Sequence, residues 1–160
     1  MKKFIVLFLA IILFLLGSYF AYDKHFRYLL PKEYKNEINA LLEKEIPKVT
    51  QELDELPGRI EREKDPFDKE GLIEMGVDIV FFDFYWKIVH VTEKYVGKGK
   101  IINNLPPNDN VWEIHEVLIP YFKNNKINTS KIFALIKYGA EKQKIIEKKF
   151  ANFSYFHYLN

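Results

Sequence analysis

The feature that most constrains this chain is an uncharged run near its start, FIVLFLAIILFLLGSYFAY at residues 4–22. A helix rises about 1.5 Å per residue, so this run would cover roughly 28 Å, close to the roughly 30 Å of a bilayer core. Lys2 and Lys3 precede it, and basic residues flank the cytoplasmic end of a membrane span. We therefore expect residues 1–22 to form a membrane anchor through Phe4–Tyr22, with residues 23–160 outside the cytoplasm.

A cleaved signal peptide is the competing interpretation of the same run. Its cleavage site is missing, because cleavage after Ala21 or Ser18 would place Tyr19 or Leu16 where a small side chain is required. The chain has no cysteine, which excludes a lipoprotein, thiol catalysis and thiolate metal sites. We favour an uncleaved anchor, and we expect a single-pass protein of the bacterial inner (cytoplasmic) membrane with a periplasmic domain.

The charge of the chain argues against a nucleic-acid partner. Lys2 and Lys3 account for the whole net charge of +2, and the remaining 22 basic residues equal the 22 acidic ones. A nucleic-acid surface requires a net basic face that displaces counterions. The charges are nevertheless unevenly placed: Glu43–Glu70 holds ten acidic and six basic residues, and Lys131–Lys149 holds six basic and two acidic ones. These segments form either two solvated faces that attract each other, or a basic helix that contacts anionic lipid or an acidic partner.

The first segment after the connector at residues 23–32 has the spacing of an amphipathic helix. Within Glu33–Leu56, apolar residues recur at steps of three and four, which predicts a helix with one buried face. They are Ile38, Leu42, Ile46, Val49, Leu53 and Leu56. Pro47 is expected to kink or split this helix, and PGRIEREK at residues 57–64 is expected to form a polar turn.

The second segment has clear start and stop signals for a helix. Asp65 suits the N-cap, Pro66 suits the first helical position, and Gly97 suits the end. The stretch DIVFFDFYWKIVHV is rich in aromatic and β-branched residues, however, so a strand at about residues 77–91 remains an alternative.

Charges exclude a second membrane span at about residues 72–91. The segment contains Glu74, Asp78, Asp83 and Lys87. Each of these costs about 2.5–3.5 kcal/mol near the centre of a span, whereas each Leu, Ile, Phe or Val returns only about 0.3–0.6 kcal/mol. The eleven such apolar residues do not offset that cost. We expect this segment to be the central core element of a soluble domain.

Two further helices are expected in the last third of the chain. Residues 97–110 read as a loop, and Asn110 with Glu113 suggests a capped start for a helix at 111–122 that Pro120 bends. Asn128 or Thr129 then begins a last helix that ends at about Phe150. The predicted fold is mainly α, with a small bundle-like helical domain at 33–160; the alternative is α+β with a strand at 77–91.

Motifs for metal or cofactor binding are incomplete. His115 and Glu116 match the start of the zinc-protease motif H-E-x-x-H, but the fifth position is Ile119. His90 and Glu93 could supply two ligands, whereas a catalytic zinc site usually has three. We expect no metal and no cofactor.

Enzymes that hydrolyse glycans use a pair of carboxylates, often in an aromatic cleft. Asp78 and Asp83, which lie among aromatic residues, are candidates for such a pair. Five residues apart on a helix, they diverge by about 140°. We therefore expect Asp83 to contact Lys87 instead, and Asp78 to meet a lysine of the basic helix. The weak candidates for catalysis are Asp78, Asp83, His90, Glu113 and His115.

The leading hypothesis is a non-enzymatic, membrane-anchored accessory or binding protein that acts through contacts with another membrane or extracytoplasmic protein. A toxin-neutralising immunity protein and a subunit of an envelope complex are two versions of it. The expected binding residues are Lys131, Lys137, Lys142, Lys144, Lys148, Phe153, Tyr155, Phe156 and Tyr158. The alternative is an anchored cell-envelope hydrolase that uses the Asp and His residues. The sequence leaves the oligomeric state open.

Overall fold

The structure, a computed structural model, describes residues 11–19, 28–105 and 111–153. Its main elements are helices α1 (Lys32–Arg62), α2 (Pro66–Val96), α3 (Val111–Asn124) and α4 (Ser130–Lys149), with a short 3-10 helix at Ile102–Asn104. Helix α2 lies at the centre, because α1, α3 and α4 all pack against it. The mainly helical fold is confirmed.

Helix α2 begins and ends where its sequence signals predict. The Asp65 carboxylate accepts hydrogen bonds from the backbone N–H groups of Phe67 (2.9 Å) and Asp68 (3.2 Å). Pro66 occupies the first position, and Gly97 at φ 107° follows the last. The alternative of a strand at residues 77–91 is wrong, since the whole stretch is helical. Three surrounding helices let this helix bury apolar side chains around most of its circumference.

Helix α1 continues through both of its prolines. Pro47 does not split it, although a kink there stays a prediction, and residues 57–62 continue the helix, so the expected polar turn at 57–64 is wrong. A proline inside a helix costs about 3 kcal/mol or more, because it removes a hydrogen bond and crowds the preceding turn. The buried row that includes Leu53, Leu56 and Ile60 runs past Pro57, and its packing on α2 outweighs that local cost.

The contact between α2 and α4 depends on a glycine. Gly139 is buried, and a Cβ atom added there would lie 2.3 Å from Cε2 of Phe81. The absence of a side chain therefore lets the ring of Phe81 pack directly on the backbone of α4. Helix α4 also buries Ile132, Leu135 and Ile146.

The turn between α3 and α4 organises its neighbours through polar side chains. Thr129 is the N-cap residue of α4 but its side chain makes no capping hydrogen bond, whereas the Asn128 side chain just before it accepts a hydrogen bond from Ser130 N at 3.0 Å. Buried Asn125 accepts from Leu30 N (2.8 Å) and donates to the carbonyls of Tyr28 (2.7 Å) and Tyr121 (2.8 Å). It thus fastens the end of the connector to the helical domain.

The predicted anchor is only partly described. Residues 11–19 are helical and all nine side chains are exposed, whereas residues 4–10 and 20–22 lie outside the described residues. Across the described ranges, no helix combines the length and the apolar character that crossing a membrane requires. The predicted cap at Asn110 also falls outside the described residues.

Candidate functional site

The acidic and basic segments of the sequence attract each other within the domain. Lys142 lies 2.5 Å from the Asp54 carboxylate, to which the Tyr138 hydroxyl also donates at 2.5 Å. Lys149 lies 2.7 Å from Glu61. The hydrogen bond to Asp54 raises the pKa of Lys142, and the hydrogen bonds from Lys142 and Tyr138 lower the pKa of Asp54. Two lysines of α4 therefore fasten it to α1.

The other lysines of α4 face solvent. Lys131, Lys137, Lys144 and Lys148 are exposed. At 100° per residue, Lys137, Lys144 and Lys148 fall within about 40° of one another, so they form one basic stripe on the outer side of the helix. Of the predicted binding lysines, only Lys142 is committed to an ion pair within the described part of the chain.

The predicted aromatic tail is described only at its beginning. Phe150 packs against the core, and the Lys69 ammonium lies 5.5 Å from the ring centroid of Phe153. The predicted binding residues Tyr155, Phe156 and Tyr158 lie outside the described residues. The expected binding role of these three residues therefore stays a prediction.

Two apolar clefts border α3 and α4, and together they are here called the α3–α4 groove. The first, of about 360 Å³, is lined by α2 and α4 with Trp112 from α3, and its α4 residues include Ile136 and Lys144. The second, of about 340 Å³, is lined by residues that include His115 and Ile119 from α3 and Phe133 from α4. Trp112, Ile119 and Phe133 are 44%, 39% and 54% exposed. Because α3 and α4 pack chiefly on α2, large side chains remain open between them.

The first cleft of the groove contains an unsatisfied polar atom. The Gln143 amide donates to the Ile73 carbonyl and to Glu147, both at 3.1 Å. Its Oε1 is buried and finds no hydrogen-bond donor within the described ranges. Such an orphan acceptor costs about 1–3 kcal/mol, so a donor supplied by an occupant of the cleft would be favourable.

Asp78 lines the same cleft on the α2 side. Glu74, Glu147 and Lys144 line it as well. We expected Asp78 to contact a lysine of α4. Asp78 and Lys144 line the same cleft, but the described residues show no ion pair between Asp78 and a lysine. The cleft combines an apolar floor with charges of both signs at its rim.

His115 lines the second cleft of the groove. Its Nδ1 lies 2.8 Å from the Tyr85 hydroxyl, and its ring meets Phe133 edge to face at 5.8 Å. Burial lowers the pKa of His115 and raises that of Tyr85, because both charged forms lose water. This pair joins α2 to α3 as neutral side chains.

Asp83 belongs to an ion-pair chain that ties α1 to α2. It lies 3.4 Å from Lys87, as the spacing of four predicts, and Lys87 continues to Glu45 at 3.0 Å. Glu45 is buried and also accepts from Lys48 at 3.0 Å, and these two lysines lower its pKa. Sequence reasoning missed Glu45, for which the spacing to Lys48 was the only local signal.

His90 and Glu93 point in different directions rather than forming a metal site. His90 is exposed, and its Nδ1 donates to the Trp86 carbonyl at 2.8 Å. Glu93 is buried and accepts from the backbone N–H groups of Ile101 (3.1 Å) and Ile102 (3.0 Å). Burial alone would raise the pKa of Glu93, but these donors outweigh it and the pKa is lowered. In the described ranges, no three His, Asp or Glu side chains cluster as metal ligands do.

The five candidates for catalysis do not converge on one point. Asp78 and Asp83 diverge around α2 as their spacing predicts, and Asp83 and His90 lie on its outward side. His115 is buried against Tyr85. Glu113 lies in the first turn of α3, with one carboxylate oxygen buried and unpaired among the described residues.

Another cleft, of about 630 Å³, lies beside the connector. Its lining residues include Tyr28, Tyr95, Lys100 and Tyr121. Asn125 holds the connector at this place, and it was also missed in the sequence, because its partners Tyr28 and Leu30 lie 97 and 95 residues away along the chain.

Comparison with known proteins identifies no relative. No protein-family model matches the chain, and neither a curated protein nor a solved structure matches it.

Proposed function

We propose that this protein is a membrane-tethered binding protein whose α3–α4 groove holds another membrane or extracytoplasmic protein. In this proposal Phe4–Tyr22 anchor the chain in the inner membrane, and the helical domain works on the periplasmic side. The nine described residues of the anchor support it, since apolar side chains such as Leu13 (69% exposed) and Phe14 (74% exposed) have no cover from the domain.

The observation that carries the proposal is the exposed apolar lining of the groove. Burial of a side chain such as Ile119 or Phe133 against a partner gains about 1.5–3 kcal/mol relative to exposure. Binding energy at protein interfaces is concentrated in a few such residues seated in pockets, with polar residues around them. Lys144 at the rim and Lys137 on the same face of α4 provide that polar border.

The shape of the groove favours a protein over a lipid surface. A concave groove is filled by side chains or a helix that enters it, whereas a flat bilayer would leave the clefts empty. The basic stripe of Lys137, Lys144 and Lys148 favours a partner with acidic residues beside its apolar contacts. Neutralisation of an incoming toxin is one task of this kind, since it requires only a binding surface held at the membrane.

Cross-linked co-purification of the tagged full-length protein from its native membranes tests the proposal. We would compare the wild type with Ile119→Glu and Phe133→Glu, which place a charge in the groove. Ile145→Glu is the matched control, because Ile145 is 52% exposed on α4 and does not line the groove.

The proposal expects one protein at near-equal amount with the wild type and with Ile145→Glu, and at least a tenfold loss with either groove variant. Replacement of Lys137, Lys144 and Lys148 by Glu should weaken the same interaction if the partner is acidic. Equal recovery of the partner by all variants would show that the groove is not the binding surface.

A further inference from the structure

A cleft of about 390 Å³ lies between the end of α1 and the first half of α2, and we call it the α1–α2 cleft. Its lining includes Arg59 near the end of α1, Glu63 just after it, and Phe67, Met75 and Ile79 of α2. Phe67 is 67% exposed, and Met75 and Ile79 are each 56% exposed. A Cβ atom added at Gly71, which also lines the cleft, would meet nothing within 4 Å. The cleft therefore has room for large apolar side chains beyond those of the described residues.

The carboxyl-terminal end of α4 is fastened close to this cleft. Lys149 of α4 lies 2.7 Å from Glu61, which is two residues after Arg59 on α1. Phe150 packs against the core, and the backbone N–H of Phe153 donates to the Phe150 carbonyl at 2.8 Å, which closes a turn after the helix. The described chain thus reaches its last residue at the corner where α1 ends and α2 begins.

Lys69 connects this last described residue to the edge of the cleft. Its ammonium donates to the Glu63 carbonyl at 3.4 Å, and the same ammonium lies 5.5 Å from the ring centroid of Phe153. Glu63 is one of the residues that line the cleft. The chain therefore continues beyond Phe153 from a point beside the opening of the cleft.

The next seven residues, SYFHYLN at 154–160, have the length and the chemistry to fill the cleft. Seven extended residues reach at most about 25 Å, and the distance along α2 from Phe67 to Ile79 is about 18 Å at 1.5 Å per residue. The segment contains no Asp, Glu, Lys or Arg, and four of its residues have aromatic or aliphatic side chains. Arg59 at the rim supplies a cation that can pack on an aromatic ring.

We propose that residues 154–160 fold back into the α1–α2 cleft and form a strap that ties the end of α4 to α2. A segment attached beside its site has an effective concentration on the order of millimolar, which a separate chain with equal contacts would have to exceed. In this arrangement Tyr155, Phe156 and Tyr158 bind the domain itself. They cover the exposed side chains of Met75 and Ile79, and the α3–α4 groove is left to bind the partner.

The strap and the proposed function can fail independently, because they use different surfaces. No residue of α3 or α4 lines the α1–α2 cleft. Conversely, Phe67, Met75 and Ile79 line neither cleft of the α3–α4 groove. A partner could therefore bind the groove whether or not residues 154–160 occupy their cleft.

Photo-cross-linking in the full-length protein in its native membranes tests the strap. A benzophenone amino acid would replace Met75, or Ile145 in a matched control. Ile145 is 52% exposed and lies five residues before Phe150 on α4, so residues 154–160 are long enough to reach it as well. After digestion with trypsin, position 75 should give an adduct within one chain to the peptide that follows Lys149, with the cross-link at residues 154–160. Position 145 should give none.

Three results of this experiment would overturn the proposal. One is the absence of an adduct to residues 154–160 from position 75. Another is an adduct from position 75 only to a different protein or to a second copy of the chain, which would show that another molecule covers the cleft. The third is an equal yield from positions 75 and 145, which would show that these residues move freely instead of docking.

Thermal unfolding of the full-length protein gives a second measurement. Met75→Gln should lower the Tm of the wild type, because it removes an apolar contact with the strap. It should have almost no effect on a variant that combines Tyr155→Ser, Phe156→Ser and Tyr158→Ser, because that contact is already lost there. The same decrease in both backgrounds would contradict the strap. Circular dichroism should show unchanged helix content in each variant, since Met75 is on the surface.

Discussion

At the scale of single residues, buried polar side chains connect parts of the chain that are far apart in sequence. Glu45 joins α1 to α2 through Lys87, Glu93 holds the loop after α2, and Asn125 holds the connector. Each is buried and makes at least two hydrogen bonds, which offset its loss of water. These residues fix how the helices meet, and the apolar residues supply most of the packing.

Replacing Glu45 with Gln should destabilise the domain by about 1–2 kcal/mol. The loss is smaller than for a fully buried ion pair, because the solvent around Lys48 and Lys87 screens their attraction for the carboxylate. The change removes the negative charge that Lys48 and Lys87 bind. Glu43→Gln is the control, because Glu43 is exposed on the same helix, and it should change stability by less than about 0.5 kcal/mol. Urea denaturation of the wild type and both variants measures this difference.

The effect of Glu45 should depend on pH. The pKa of Glu45 is lowered in the folded state from its usual 4.5, first by the hydrogen bond from Lys48 and then by that from Lys87. Its contribution is therefore fully present above pH 4.5 and is lost as the pH falls through the lowered folded value. The stability gap between wild type and Glu45→Gln should narrow over that acidic range, and a gap that widened there would contradict the assignment.

At the scale of elements, α2 could be predicted from the sequence, whereas the course of α1 could not. Asp65, Pro66 and Gly97 act locally, so their signals can be read without knowledge of the fold. Pro47 and Pro57 are equally strong local signals, but packing of α1 on α2 overrides them. The groove could not be foreseen, because it depends on how α3 and α4 sit on α2.

Two helical glycines should respond oppositely to replacement by alanine. Gly139→Ala should destabilise the domain by about 1–3 kcal/mol, since the new methyl group would overlap the Phe81 ring. Gly58→Ala should stabilise it by about 0.5–1 kcal/mol, because the nearest atom is 3.4 Å away at the flexible end of Arg62 and alanine favours the helix. Thermal unfolding of both variants checks this, and a neutral Gly139→Ala would contradict the close approach of α2 and α4.

At the scale of the whole molecule, the domain is fastened to the chain that leads towards the proposed anchor. Asn125 makes three hydrogen bonds, two of them to the connector residues Tyr28 and Leu30. This clamp fixes the place where the domain meets the connector.

Asn125→Ala should release this clamp. The backbone amide of Leu30 loses its acceptor and should exchange with deuterium roughly tenfold faster, as about 1.4 kcal/mol of lost hydrogen bonding would give. Asn124→Ala is the control, because the Asn124 side chain donates within α3 to the Pro120 carbonyl and does not contact the connector. Hydrogen exchange with mass spectrometry measures both, and equal protection of Leu30 in the two variants would show that Asn125 does not hold the connector.

Photo-cross-linking from within the groove tests the central claim most directly. A benzophenone amino acid would replace Phe133 in the full-length protein, and Ile145 in a matched control, in native membranes. The account predicts an adduct with a single other protein from position 133 and none from position 145. No protein adduct from position 133, or the same adducts from both positions, would contradict a binding role for the α3–α4 groove.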